Sequence, residues 1–163
     1  MGGRLKKKHK FTKGFKRTQG FYSKRQSGAE KPCAPINLHE QSAEAILLEL
    51  RDKYEVFDFV LRKHSMDQVG IDWVLGKYVH VKKRMRDLRI HIQHKASEKD
   101  AAYFRDLNPC IPVWVHHHDT TVLDGKIHLL RLVVQVMQKT SSSHVDFFVK
   151  KLQQLEGEKR LAK

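Results

Sequence analysis

Histidine is the residue of this chain best placed for chemistry. Eleven occur in 163 residues, and three are consecutive: His116, His117 and His118, followed by Asp119. On a strand, His116 and His118 would project from one face, as two imidazole ligands of a metal must. His91, His94, His128 or Cys110 could then complete a shell. A closed zinc site, however, normally shows Cys/His pairs at set spacings, and the remaining histidines are scattered singly. The expectation is therefore no metal, with these side chains as polar positions on an exposed strand face or as partners of phosphates. Ser141–Ser143 with His144 and Asp146 holds the letters of a nucleophilic triad. Ser143 and Asp146 are nevertheless spaced as a helix capping box, and nothing resembles a nucleophile turn. Cys33 and Cys110 lie far apart and form no Cys-x-x-Cys pair, which argues against disulfide exchange. No Gly-rich loop sits in a strand-loop-helix frame to cradle phosphate. Trp73 and Trp114 could stack on bases, but read as buried anchors. No enzyme, no cofactor and no small-molecule substrate are expected.

Charge points elsewhere. Lys and Arg total 32 against 18 Asp and Glu, for a net charge of +14. The first 29 residues hold no acid and ten of these cations: Arg4, Lys6, Lys7, Lys8, Lys10, Lys13, Lys16, Arg17, Lys24 and Arg25. Phe11, Phe15, Phe21 and Tyr22 lie among them, with Gly14, Gly20 and Gly28 as joints. Self-repulsion and scarce apolar residues predict a segment disordered by itself. Against a polyanion it gains from counterion release, and its rings can stack on bases. It reads as an RNA-binding tail, with Phe11, Phe15 and Tyr22 as the stacking residues and Lys77, Lys82, Lys83, Arg84 and Arg86 as a second patch. A mitochondrial import signal is also acid-free, though such signals favour Arg and Ser; Arg4 to Lys10 could pass as a nuclear signal, and a solubilising tail is a further reading. Lys6 argues against myristoylation. No apolar run of about 18 residues is available to span a membrane, and two cysteines exclude a disulfide-rich scaffold.

These residues need elements to position them. Ser27, Gly28, Pro32 and Pro35 mark a linker. Ala43, Ile46, Leu47, Leu50, Tyr54, Phe57, Val60 and Leu61 recur at helical steps, predicting one helix of about 24 residues over 40–63, or two joined near Asp52–Tyr54. A shorter helix is expected around Trp73, Val74 and Tyr78. Leu88, Ile90 and Ile92 alternate as a strand. Ser97 and Asp100 cap a short helix, stopped at Asn108-Pro109. Ile111, Val113 and Val115 alternate as a second strand, with Pro112 at its start or on an edge. Asp124-Gly125 reads as a hairpin turn between Thr120–Leu123 and a central strand, Ile127–Met137. Ser143 opens a last helix, which Gly157 ends. The expected organisation is a basic tail and linker over 1–37, a helical extension over 38–82, an α+β domain over 83–157 and a tail over 158–163.

Three stretches carry a resemblance: Leu88-Arg89-Ile90-His91-Ile92, Asn108-Pro109 with its following strand, and Val133–Val136 leading through Thr140-Ser141-Ser142 to the last helix. In order and rough spacing they resemble the thioredoxin-like family of mitochondrial ribosomal proteins, which also includes an accessory subunit of respiratory complex I. Trp73-Val74-Leu75-Gly76 with Val79 and Val81 is most similar to the small-subunit ribosomal member. The resemblance covers about residues 71–157. It departs from the family in a shorter first helix, without a Gly-Ala-Arg-like start, and in the extension over 1–70. It implies a small thioredoxin-like mixed sheet with flanking helices, without redox chemistry. It further implies a structural place in the mitochondrial ribosome, in the matrix, with ribosomal RNA and neighbouring ribosomal proteins as partners and no membrane. The alternatives are the complex I accessory subunit, or a non-mitochondrial factor whose helices read DNA.

Overall fold

The computed structural model describes residues 37–62, 70–140 and 142–162. The chain divides between Pro32 and Cys33, and everything described belongs to the second unit, Cys33–Lys163. That unit is α+β, with four helices and a four-stranded mixed sheet among the described residues.

Helix α1 is Leu38–Asp52. Asn37 caps it, its side chain accepting from Glu40 N at 2.9 Å, and Ala43, Ile46, Leu47 and Leu50 form the buried stripe. The helix does not run 24 residues: it stops at the expected alternative break near Asp52–Tyr54, but a strand rather than a second helix follows. Glu55 adopts φ 51°, a left-handed turn that ends the helix three residues earlier. Tyr54 and Phe57 are still buried, but from this turn and the segment after it. Val60 and Leu61 belong to strand β1, Phe59–Leu61.

Trp73–Val81 is not helical but strand β2, joined by a hairpin to β3, Arg84–Lys95. Trp73 and Leu75 pair with Ile92 and Ile90 and enter the core, so the period is two. Residues 38–82 are thus no separate extension, since the 82/83 boundary falls on the hairpin turn. Ser97 caps helix α2, Glu98–Leu107, as expected. Pro112 stands just before β4, Val113–Val115, which runs parallel to β3. Strand order is β1-β2-β3-β4, an antiparallel meander extended by one parallel strand across the α2 crossover.

The central strand expected over 127–137 is instead helix α3, Val122–Lys139. Thr121 and Asp124 form a reciprocal cap, with Asp124 N 3.2 Å from Thr121 Oγ1 and Thr121 Oγ1 donating to Asp124 Oδ2 at 2.8 Å. Gly125 marks no turn. A Cβ there would lie 2.5 Å from Ile46 and 2.9 Å from His116, so its smallness lets α3 meet α1 and the loop after β4. The final helix, α4, is Val145–Leu161 and runs through Gly157. Its N-cap is His144, without a side-chain cap bond, rather than Ser143. α1, α3 and α4 share one core with Trp73, Leu75, Ile90, Ile92 and Trp114 on one face of the sheet. α2 meets the other face, where Lys95 Nζ lies 5.1 Å from the Phe104 ring centroid.

Candidate functional site

The sheet's second face carries the polar groups hardest to explain as structure. Asp72 precedes β2 and lies opposite Gln93 of β3, one step beyond the Trp73–Ile92 pair. Alternation puts Lys95 on the same face, two residues past Gln93. Gln93 Nε2 donates to Asp72 Oδ2 at 2.7 Å, and the His94 backbone N–H donates to the same oxygen at 2.8 Å. Gln93 Nε2 also reaches His94 O at 3.2 Å. Gln93 is only 6% exposed, yet its Oε1 has no hydrogen-bond partner among the described residues. An orphaned buried acceptor is costly. Burial raises the Asp72 carboxyl above the usual carboxylate range; the His94 N–H and the charge of Lys95 oppose it. One strand junction thus holds a carboxylate, an amide oxygen without a donor and an ammonium group. Sequence reasoning passed over all three, because a short helix was expected around Trp73, Val74 and Tyr78 and no strand pairing joined Asp72 to Gln93. The available signal was the alternation of Val79 and Val81 after Trp73 and Leu75.

From this corner the β2–β3 hairpin runs outward. Its turn is Lys82-Lys83, both at positive φ, 48° and 65°. Lys82, Lys83, Arg84 and Arg86 are exposed, and among the described residues no carboxylate lies within ion-pair distance of them. Arg89 is exposed on the Asp72 face and pairs with Asp87 at 2.5 Å. The predicted second patch is therefore one structural feature, the hairpin tip, apart from Lys77. That lysine lies 3.6 Å from Asp58 Oδ1, donates to Glu55 O at 3.3 Å and sits over the Phe147 ring. It ties elements together. Arg4, Lys6, Lys7, Lys8, Lys10, Phe11, Lys13, Phe15, Lys16, Arg17, Tyr22, Lys24 and Arg25 lie outside the described residues.

The histidine cluster is rearranged relative to expectation. β4 ends at Val115, so His116 and His118 share no strand face. His116 is buried, with Nε2 2.9 Å from Ser42 Oγ and its ring stacked on Trp114. Burial, then neighbouring histidines, depress its pKa to about 4, so the ring is neutral at pH 7. Burial also lowers the pKa of His94, whose Nε2 lies 2.9 Å from His116 O. His117 and His118 instead meet His39 in the first turn of α1. Trp73 and Trp114 are buried, as expected. No described helix is long and apolar enough to cross a membrane. Compared with family models, curated proteins and solved structures, the chain matches none of them.

Proposed function

We propose that this chain is a nucleic-acid-binding protein whose folded unit hydrolyses phosphodiesters with a divalent cation at Asp72. The juxtaposition of Asp72, Gln93 and Lys95 carries the reading. Carboxylate and amide oxygens suit Mg2+ or Mn2+. Mg2+ is commonly held by one or two protein carboxylates together with substrate phosphates, and among the described residues Asp72 is the carboxylate hydrogen-bonded at this corner. A bound cation would polarise a phosphoryl oxygen and lower the pKa of water. Lys95 would oppose the negative charge that builds on the phosphate. The expectation of no enzyme rested on a missing nucleophile, which metal-assisted hydrolysis does not require.

The surroundings suit a polyanion. Nine residue steps along β3 take Arg84 to Gln93, roughly 30 Å at about 3.3 Å per step. A duplex advances by a similar distance over about nine base pairs. Cations at the hairpin tip can therefore take phosphates well away from the reacting one, fixing register without reading sequence.

The test is incubation of the tag-free chain with single- and double-stranded DNA and RNA, in Mg2+, Mn2+ or chelator. Cation-dependent cleavage is expected, reduced roughly 10²–10³-fold by Asp72→Asn and comparably by Lys95→Ala, while gel-shift binding persists. Cleavage indifferent to Asp72→Asn, or absent with every cation and substrate, would overturn the reading.

The acid-free segment 1–29 favours a second reading, a structural constituent of the mitochondrial ribosome bound to ribosomal RNA, with the small subunit preferred. It needs no cation and predicts co-migration with a ribosomal subunit on a sucrose gradient of mitochondrial lysate. Migration with a membrane complex would instead favour the complex I alternative.

A further inference from the structure

We propose that His39, His117 and His118 form a zinc-class transition-metal site that clips the start of α1 to the loop following β4. Each offers a ring nitrogen, and the three candidate ligand atoms lie within 4.8 Å of one another. His39 Nδ1 and His118 Nδ1 lie 3.1 Å apart. Zn–N bonds of about 2.0–2.1 Å in a tetrahedron put ligand nitrogens about 3.3–3.4 Å apart. The pair is therefore spaced as two corners of one coordination sphere.

Asp119 supplies the outer support. Its Oδ1 lies 3.1 Å from His118 Nε2, and its Oδ2 lies 3.2 Å from His117 Nδ1. With Nε2–H of His118 donated to that carboxylate, Nδ1 is left bare and faces His39 Nδ1, the orientation in which carboxylates commonly hold metal-ligating histidines. The Asp119 backbone N–H also lies 3.2 Å from His117 Nδ1. Only donation of His117 Nδ1–H to Asp119 Oδ2 leaves Nε2 for the metal; accepting from the Asp119 backbone N–H puts the neutral ring's proton on Nε2, so metal binding would select the first arrangement. Without a cation, His39 Nδ1 and His118 Nδ1 share one proton in a hydrogen bond; a metal ion would take that proton's place and bond both nitrogens. Imidazole favours zinc, nickel or copper over magnesium, so this site would take a different ion from the Asp72 corner, and the proposal does not rest on that reading.

Zinc chloride alone, titrated into the full-length, tag-free, chelator-treated chain, tests it by calorimetry, with cobalt as the spectroscopic probe. One equivalent of zinc and the intense visible absorption of tetrahedral cobalt are expected. His39→Gln or His118→Gln should abolish both, and Asp119→Asn should weaken zinc about 10–100-fold. His91→Gln, at an exposed histidine outside the cluster, should change neither. Circular dichroism of each variant without metal separates lost ligation from lost folding. Absence of saturable binding, or binding unchanged in folded His39→Gln, would overturn the site. Asp72→Asn should keep zinc binding, and His39→Gln should keep any cation-dependent cleavage, so failure of one proposal is distinguishable from failure of the other.

Discussion

Tyr54 shows how a single buried hydroxyl couples stability to pH. It is 5% exposed, and its hydroxyl donates to Glu158 Oε2 at 2.7 Å. Lys151 Nζ donates to its carbonyl at 2.6 Å, and Lys126 Nζ lies over its ring. Burial, reinforced by the Glu158 carboxylate, pushes its pKa from 10.0 up to about 12. The unfolded chain therefore releases this proton first. Its stabilising contribution is intact below pH 10 and is lost as pH rises from 10 towards 12. Urea titrations across that window should show stability falling, with a shallower fall in Tyr54→Phe. Asp72 and Gln93 illustrate the opposite case: polar residues whose positions cost stability, which is why they read as a site rather than as structure.

Among the elements, the β2–β3 hairpin bears the clearest conflict between local preference and position. Lys82 and Lys83 both occupy the left-handed region, where side chains other than those of Gly, Asn or Asp are strained by roughly 1–2 kcal/mol each. Lys82→Asn with Lys83→Gly is expected to raise stability by about 1 kcal/mol or more, read as a higher thermal midpoint. Lysines kept where strain opposes them fit a turn used for its charge. The same two rules, periodicity and turn chemistry, account for what was and was not legible. Ser97 announced α2 correctly because its cap is local. Asp124-Gly125 was misleading because Asp124 completes a cap with Thr121, while Gly125 answers to Ile46 and His116, distant in sequence. Tyr54, Phe57, Val60 and Leu61 extended a helical period past the end of α1, since their burial comes from a turn and a strand instead.

For the whole molecule, charge distribution sets the behaviour towards polyanions. The hairpin-tip cations, which pair with no carboxylate among the described residues, remain available to phosphates, whereas Lys77, Lys126 and Lys159 pair with Asp58, Glu49 and Asp124. Replacing Lys82, Lys83, Arg84 and Arg86 by Ala should flatten the log–log dependence of nucleic-acid affinity on salt by about 3, measured by fluorescence anisotropy. An unchanged slope would place the phosphate contacts elsewhere, with the acid-free first 29 residues the next segment to neutralise.

Composition and local pattern alone determined the α+β class, the concentration of charge before residue 30, α2 with its cap, and β4 with Pro112 at its start. Those depend on neighbours within a few positions, where capping, alternation and repulsion act. Tertiary structure decided the rest. Only strand pairing sets Asp72 against Gln93 across 21 residues of chain, and only the meeting of α1 with the loop after β4 brings His39 to His118 across 79. Contacts of that span carry no periodic signature, because burial among distant partners, rather than spacing, selects them.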